Sequence, residues 1–389
     1  MSDSQFTALL GSFVNDTSPS DEITWDIPQL LRTAEEQILL PVLAYENKCR
    51  PLFDNRDVCN RLDKILYNAV VTNLNRFAAF DELSEKLTEH GIAHMPVKGY
   101  YLRKLYPVQE LRTFRDIDLL IHHEDRQKVH KLMLSLGYTV KENWEPTYTY
   151  VNDVECYEIH TNLMDGNLDG RANLQAYFDT AWEHAVIDDG LRYRPDDDFH
   201  FIYTVCHLAK HLYGGGAGMR MYLDTALFIK NKDDILNWQN ISNEFEALGL
   251  SDFFHTVMNA CRVWFGIETA CVLPEPDKEA LDKLLSYTLD SDLFGHSRNH
   301  AVIELRNGKD ETMSRSQVLL KMLFPSAADI ESRYTFLKNR HYLLPIAWIV
   351  RLFVNLQLIP NRLGKMKQVA KADKNDVETY DGFMNRIGL

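Results

Sequence analysis

Asp116 and Asp118 stand two positions apart, directly before an apolar run that ends at Ile121. This pattern predicts a buried β-strand. Because successive side chains of a strand leave opposite faces, the two carboxylates share one face and Ile117 lies on the other. Carboxylates held side by side repel each other unless a cation neutralises them, and Mg²⁺ is usually held by one or two carboxylates together with substrate phosphates. The chain is therefore expected to build a sheet that carries a divalent-metal site.

A third acid, Glu158, lies on a later predicted strand, where alternation places it on one face with His160. If this strand pairs beside the strand at 116–121, Glu158 reaches the two aspartates. A register shifted by one residue would bring Glu155 there instead. Three carboxylates can hold two metal ions, or hold one ion while one carboxylate acts as base on an incoming hydroxyl. Asp116, Asp118 and Glu158 are therefore the predicted catalytic and metal-binding residues.

Cationic residues precede the acidic pair. Arg112 and Arg115 lie just before it and can pair with phosphate oxygens. Further upstream, Lys98-Gly99 ends a predicted strand and opens a helical segment. A glycine lets backbone N–H groups approach a phosphate, the helix N-terminus adds a favourable dipole, and Lys98 offers a point charge. These four residues are predicted to bind a triphosphate, although a Lys-Gly turn on its own is usually structural.

A later predicted helix contributes His207, Lys210 and His211, and the next one contributes Arg220. The two histidines lie one helical turn apart. Because no further ligands stand at zinc-site spacing, packing or hydrogen bonding at a domain interface is the favoured interpretation. Lys210 and Arg220 are predicted to neutralise substrate phosphate. Asp224, four residues after Arg220, is expected to pair with it.

The hydrophobic periodicity divides the chain into three parts. Residues 25–90 show helical spacing that stops at Gly91, a residue typical of helix C-caps. From 91 to about 165 the order reads β-α-β-α-β-β, with Asn152-Asp153 as a hairpin turn. From about 172 onward the periodicity is helical again. We predict an N-terminal helical region (1–90), an α+β core (91–188) and a C-terminal helical domain (189–389), which together give the α+β fold class.

The composition favours a soluble, cytoplasmic protein. The chain has 42 Lys and Arg against 56 Asp and Glu, and the net charge of −14 disfavours broad nucleic-acid binding, which needs a cationic surface. Six scattered cysteines without zinc-site spacing and a start without a signal sequence indicate a reducing cytoplasm. The membrane-like stretch at 342–358 is short and carries polar residues. A buried or groove-lining helix is expected there, and not stable membrane insertion.

These spaced elements resemble the bacterial nucleotidyltransferase-like proteins, which belong to the polymerase-β-like nucleotidyltransferase superfamily. The resemblance covers roughly residues 60–230. The residues that carry it are, in chain order, Val97-Lys98-Gly99, Leu102, Tyr106-Pro107, Glu110-Leu111-Arg112, Arg115-Asp116-Ile117-Asp118-Leu119-Leu120, Gly137-Tyr138, Glu158-Ile159-His160, His207, His211, Arg220 and Asp224.

The resemblance implies a small mixed β-sheet flanked by helices, with an additional large helical domain. It implies a divalent cation, Mg²⁺ or Mn²⁺, held by Asp116, Asp118 and Glu158. It also implies transfer of a nucleoside monophosphate from an NTP to an acceptor. The chain departs from the wider superfamily in one respect: that pattern has Gly-Ser shortly before the acidic pair, whereas here Tyr100 follows Gly99, which lies 17 positions before Asp116.

Several functions are compatible with these features. The leading hypothesis is a metal-dependent nucleotidyltransferase whose acceptor is a small molecule, a protein or an RNA end. A tRNA-modifying, toxin-like transferase is the alternative enzyme, and the acidic charge slightly disfavours it because long polynucleotides bind cationic surfaces. A non-catalytic nucleotide-binding regulatory module would keep the fold without turnover. A helical interaction protein, in which the acidic pair is incidental, is the third alternative.

Overall fold

The structure, a computed structural model, describes residues 2–144, 146–164, 168, 173–290, 320, 323–330, 334–337, 340–354 and 374–389. Its N-terminal helices are α1 (Ser2–Asn15), α2 (Ile27–Glu36), α3 (Leu40–Cys49) and α4 (Arg56–Glu89). The side chain of Asn55 caps α4 by accepting hydrogen bonds from the N–H groups of Asp57 and Val58. Gly91, which follows α4, has a left-handed φ of 67°, as the predicted helix end requires.

A mixed sheet follows the long helix α4. Its strands are β1 (His94–Pro96), β2 (Ile117–Ile121), β3 (Thr139–Trp144), β4 (Thr147–Val151), β5 (Cys156–His160), β6 (Ala185–Asp189) and β7 (Arg192–Pro195). The order is β3-β4-β5-β2-β1-β7-β6. The pairs β2–β5 and β1–β7 are parallel, whereas the others are antiparallel. Shorter helices connect the strands along the chain: α5 (Gly99–Leu102), α6 (Arg126–Ser135) and α7 (Leu174–Phe178). The predicted α+β fold class with a small mixed sheet is confirmed.

The hairpin β6–β7 corrects one expectation. Helical periodicity was expected from about residue 172 onward, but α7 ends at Phe178 and an antiparallel hairpin occupies 185–195. Its turn contains Asp189-Gly190, and Gly190 has a positive φ of 57°. An Asp-Gly pair between short strands is a strong hairpin signal because Gly adopts the left-handed conformation that such turns need. The local turn chemistry therefore overrides the weak helical pattern.

The two faces of the sheet pack against different partners. Ile117, Leu119 and Ile121 of β2 lie in one buried cluster with Phe80 of α4 and Met133 of α6. Burial of each such side chain stabilises the fold by about 1.5–3 kcal/mol. The alternation of the strand then turns Asp118 toward the opposite face. The acidic side chain therefore faces the helical part of the chain.

That helical part begins with α8 (Asp197–Tyr213) and continues through α9 (Met219–Lys232), α10 (Trp238–Ala247), α11 (Ser251–Phe265) and α12 (Lys278–Leu289). It shares one large hydrophobic core with the N-terminal helices and with Met95, Val97 and Leu120 of the sheet region. Helix α1 packs on α9 and α11. The sheet therefore packs against α4 and α6 on one face and against the common helical core on the other.

The last described elements are α13 (Ala327–Ile330), α14 (Leu344–Val354) and α15 (Lys374–Arg386). Helix α14 covers most of the apolar stretch expected to be buried or to line a groove; residues 355–358 of that stretch lie outside the described residues. Ala347 is buried, but Ile346 and Ile349 are 52% and 55% exposed. The expected burial is therefore found on only one side of this helix. Among the described residues, no helix has both the length and the apolar character needed to cross a membrane.

Candidate active site

The centre of the candidate site is the pairing of β2 with β5. The two strands run parallel, and Asp118 is the register partner of Glu158, just as Leu120 is the partner of His160. Register partners on adjacent strands point to the same face. Asp118, Glu158 and His160 therefore leave the sheet side by side, toward helix α8.

Asp118 is the most enclosed acid of this group, with 6% of its surface exposed. Its Oδ1 accepts a hydrogen bond from His160 Nε2 at 2.9 Å and forms an ion pair with the ammonium of Lys98. Burial opposes ionisation, but the charge of Lys98 and the hydrogen bond from His160 outweigh it and hold the pKa of Asp118 well below its usual range. Asp118 is thus a carboxylate at every physiological pH.

Glu158 has the opposite electrostatic character. Burial raises its pKa, and the negative charges of Asp118 and Asp116 raise it further, to about 7. Asp116 is half-buried, and its pKa is also raised, first by burial and then by the charge of Asp118. The three acids therefore form a group whose full ionisation near pH 7 needs an added positive charge.

A metal-compatible arrangement exists within this group. One ligand atom each from Asp118, Glu158 and His160 lie within 4.8 Å of one another. The Nδ1 atom of His160 lies 3.1 Å from the hydroxyl of Thr147, which orients the ring so that Nε2 meets Asp118. His160 was not among the predicted site residues. The signal for it was present, because alternation along β5 already placed it on the face of Glu158.

Lys98 has an unusual backbone. It lies directly before α5 with φ 49° and ψ −121°, a region that costs a residue with a side chain of order 1–3 kcal/mol. The residue before it is tied to strand β2, since Val97 N–H donates to the Asp118 carbonyl at 3.0 Å. Burial opposes the charge of Lys98, but the carboxylate of Asp118 outweighs it and raises the lysine pKa above its usual range. The strained turn therefore holds a permanent cation at the acids.

Gly99 lies in close contact with the side chain of Arg112. A Cβ at this position would lie 2.3 Å from Nη1 of Arg112, which is closer than real side-chain contacts. The guanidinium of Arg112 thus occupies the space that any other residue would fill. This close approach is an observed reason for the glycine, whereas its contact with a phosphate stays a prediction.

Asp224 has a different partner from the one expected. Its carboxylate accepts two hydrogen bonds from Arg112, from Nε at 2.8 Å and Nη2 at 2.7 Å, and one from the hydroxyl of Tyr106 at 2.9 Å. Arg220 instead donates to the carbonyl of Thr113 at 2.7 Å. The predicted pairing of Arg220 with Asp224 is wrong, because a bidentate, buried Arg–carboxylate contact is stronger than a pair of helical neighbours.

Two cavities adjoin the acids. The first, of about 270 Å³, is lined by Lys98, Gly99, Arg112, Asp116, Asp118, Glu158, His207, His211 and Arg220, among others. The second, of about 350 Å³, is lined by Lys98, Thr147, Glu158, His160, Asn162, His207, Lys210, His211, Gly214 and Gly216, among others. Most of the predicted site residues therefore meet in the first cavity, and Lys210 lies in the second.

The remaining predicted positions lie elsewhere. Arg115 is exposed in the loop before β2 and lines neither cavity. Glu155, the alternative to Glu158, precedes β5 and lines neither cavity. His207 and His211 line both, and their Nε2 atoms lie 3.2 Å apart. They hydrogen-bond to each other between the sheet and the helical core, which agrees with the interface interpretation.

Comparison with known proteins places this chain in a family. The model of the family described as uncharacterised nucleotidyltransferase matches residues 23–266, which run from the N-terminal helices through the sheet to the end of α11. The chain belongs to this family of nucleotidyltransferases. The family supports nucleotidyl transfer as the function and an NTP as a substrate.

Other comparisons add little. No curated protein matches the sequence. The solution structure of the antibiotic-resistance factor ANT(2'')-Ia is similar over 45% of this chain and 92% of its own length, at 12% identity and a TM-score of 0.33.

Proposed function

We propose that this chain is a metal-dependent nucleotidyltransferase that moves a nucleoside monophosphate from an NTP to a hydroxyl or phosphate acceptor. The observation that carries the proposal is the register of β2 and β5, which sets Asp118 beside Glu158 in the wall of a cavity that also contains Lys98, Arg112 and Arg220. Phosphoryl-transfer sites share two components, which are acidic residues that hold a metal cation and positively charged residues that bind the phosphates.

The donor set suits a divalent cation. Asp118 and Glu158, which lie within 4.8 Å of each other by their ligand atoms, and Asp116 in the wall of the same cavity offer carboxylate oxygens, the ligands that Mg²⁺ and Mn²⁺ prefer. The ammonium of Lys98 against Asp118 indicates that this carboxylate attracts positive charge. When bound, the cation would offset the charge of the triphosphate and polarise the α-phosphate.

The cationic residues are proposed to hold the triphosphate. Lys98 and Arg220 line the first cavity, and Arg112 presents the Nη1 edge of its guanidinium beside Gly99 while Asp224 fixes the other edge. Arg115, exposed before β2, is proposed to contact the nucleotide from the outer side. Lys210 is proposed as a further phosphate-binding residue, on the side of the second cavity.

The transfer step can be written with residues of this chain. The acceptor oxygen bonds to the α-phosphorus, the bond from that phosphorus to pyrophosphate breaks, and the acceptor proton passes to a base. If the two aspartates hold the cation, Glu158, whose pKa in the absence of a cation is raised to about 7, is the carboxylate suited to this task, because a base with a pKa near the working pH is the most effective.

The alternatives give different products. A tRNA-modifying transferase would label RNA. A regulatory module would bind NTP and label nothing. The ion pairs of Lys98 with Asp118 and of Arg112 with Asp224 favour this alternative, because both cationic side chains already have carboxylate partners.

Incubation of the purified full-length chain with α-labelled NTPs and cell extract, in Mg²⁺ or in EDTA, separates these functions. The proposal predicts Mg²⁺-dependent labelling of a small molecule, a protein or RNA, and the labelled fraction identifies the acceptor. NTP binding without any labelled product would support the regulatory module. Absence of metal-dependent NTP binding would contradict both nucleotide functions.

A further inference from the structure

The long helix α4 presents a row of apolar side chains to solvent. Tyr67, Val71 and Leu74 are 68%, 38% and 49% exposed, and Ala78, one turn further along, is exposed as well. The members of this row are four, three and four positions apart, which is the spacing of a coiled-coil seam. A different side of α4, which includes Phe80, packs on the sheet. The apolar row is therefore separate from the side that holds α4 in the fold.

Charged side chains continue the row at both of its ends. The same spacing of three and four positions leads to Lys64 and Asn60 toward the N-terminus of α4, and to Asp81 and Glu85 toward its C-terminus. All four side chains are exposed. We call the whole line, from residue 60 to residue 85, the outer seam of α4. It has a basic end, an apolar centre and an acidic end.

We propose that the outer seam binds the outer seam of a second copy of this chain, with the two α4 helices antiparallel. This inference goes beyond the proposed function. A two-fold axis between residues 72 and 73 sets Tyr67 opposite Ala78 of the second copy, and Val71 opposite Leu74 of the second copy. A large side chain thus meets a small one in the outer layers, and two aliphatic side chains meet at the centre, as close packing of facing helices requires.

The charges of the seam select the antiparallel orientation. The same axis sets Lys64 opposite Asp81 of the second copy and Asn60 opposite Glu85. In a parallel pair each side chain would instead face its own copy, so that Asp81 would meet Asp81 and Glu85 would meet Glu85. Like charges in direct opposition weaken association and opposite charges fix the register. The seam is therefore complementary to itself only when one helix is reversed.

Two acids at the seam also have partners within the chain. Arg192 and Tyr100 both contact Oδ1 of Asp81, but the Asp81 side chain is still 53% exposed and can meet a further cation. Asp63, beside the basic end, lies 3.1 Å from the ammonium of Lys48. That ion pair offsets the charge of Asp63, so the basic end keeps its sign.

The length of the seam sets the strength expected of the dimer. Residues 60–85 extend about 39 Å along the helix, at about 1.5 Å for each residue. The contact of a single pair of helices is a small interface, near or below about 1,200 Å², and interfaces of this size associate reversibly. We expect a dissociation constant on the order of 10 µM.

The dimer leaves the candidate active site open. Phe80 and Leu83 of α4 pack with Leu119 of β2 on one face of the sheet, whereas Asp118 of the same strand lines the first cavity on the opposite face. The outer seam is on the far side of α4 from that cavity. Substitutions in the seam should therefore change association and leave the affinity for NTP unchanged.

Sedimentation velocity of the full-length chain, from roughly 1 to 200 µM, tests the inference. Wild type should shift with concentration from the mass of one chain toward that of two. Leu74→Lys puts a charge at the centre of the seam and should weaken dimerisation at least about tenfold. Leu134→Lys on α6 is the matched control, because Leu134 is 47% exposed and lies outside the seam. Circular dichroism verifies that both variants are folded.

Substitutions of Asn60 test the orientation by a gain of affinity. Asn60→Lys sets a cation opposite Glu85 of the second copy and should tighten the dimer roughly two- to fivefold, whereas Asn60→Glu should weaken it by a similar factor. Thr72→Lys, an exposed position of α4 outside the seam, should have little effect. High salt should remove most of the difference between the two Asn60 variants.

Three results would each overturn the inference. The first is a wild type that stays monomeric over the whole concentration range. The second is a dimer that Leu74→Lys weakens no more than Leu134→Lys, since such a dimer uses another surface. The third is a weaker dimer in Asn60→Lys, which is the result that a parallel pair of helices gives.

Discussion

Asp118 and Glu158 are register partners on two adjacent parallel strands, and both face helix α8. Their electrostatic environments differ, because Lys98 and His160 contact Asp118, whereas the nearest ion-pair partner of Glu158 in the part of the chain that the structure describes is His160 Nε2, at 3.7 Å. One carboxyl group is therefore always ionised and the other has a pKa raised to about 7. This difference allows the pair to combine permanent charge with proton transfer.

The raised pKa of Glu158 predicts how stability depends on pH without metal. Between about pH 4.5 and 7 the folded chain holds a proton that the unfolded chain releases, so stability falls as pH rises through this window. The substitution Glu158→Gln removes the titrating carboxyl group and therefore this loss of stability. At pH 8 in EDTA the variant should be more stable than wild type by roughly 1–2 kcal/mol after allowance for solvent screening, with little difference at pH 4.

Chemical denaturation of both proteins at pH 4 and pH 8 measures this effect. Addition of Mg²⁺ at pH 8 should stabilise the wild type more than the variant, because Glu158→Gln removes a negative charge that attracts the ion. An equal difference between the two proteins at both pH values would show that Glu158 does not titrate in this window.

Gly99→Ala tests the close approach of Arg112. The new Cβ would lie 2.3 Å from Nη1, so the guanidinium must move, at a cost of about 1–3 kcal/mol in unfolding free energy. NTP affinity should fall as well. Gly382→Ala in α15 is the matched control, since a Cβ there meets nothing within 4 Å, and it should be neutral or stabilising. Equal effects of the two substitutions in denaturation and NTP titration would refute the packing argument.

Asp224→Asn tests the buried network that fixes Arg112. The substitution leaves the buried guanidinium without its countercharge, which costs about 3–5 kcal/mol when one partner of such a pair is removed. Arg112→Met combined with Asp224→Asn should cost less than the sum of the two single substitutions. A double-mutant cycle of unfolding free energies measures this coupling. Additive effects would mean that the two side chains do not depend on each other.

His160 is predicted to position Asp118 for metal binding. His160→Ala should weaken Mn²⁺ binding by roughly 10–100-fold, as loss of a group that orients a ligand does. His160→Gln, which can still donate to Asp118, should restore part of the affinity. Electron paramagnetic resonance of free Mn²⁺ measures binding, and thermal unfolding checks that both variants are folded. Wild-type affinity in the alanine variant would exclude this role.

Much of the geometry at the acids could be predicted from local pattern. Alternation along 116–121 assigned Asp118 to one face of its strand, and alternation along 156–160 did the same for Glu158. The turn at Asn152 fixed where β5 begins, because the Asn152 side chain accepts hydrogen bonds from the N–H groups of Val154 and Glu155. Such signals act over a few residues, so the sequence shows them directly.

The long-range contacts could not be predicted in this way. Arg112 and Asp224 are 112 positions apart, and a closer partner, Arg220, was available on the same helix as Asp224. The choice between them depends on how α9 packs against the segment before β2, which no local pattern encodes. The second cavity likewise forms where β4, β5 and α8 meet, so its lining appears only in the folded chain.

The most direct test of the account is the initial rate of Mg²⁺-dependent pyrophosphate release from an NTP in the presence of acceptor. Wild type is compared with Asp118→Asn and with Asp282→Asn, an exposed aspartate on α12 that lines neither cavity. The account predicts that Asp118→Asn lowers the rate at least about a hundredfold, whereas the control keeps the wild-type rate. A wild-type rate in a folded Asp118→Asn variant would contradict it.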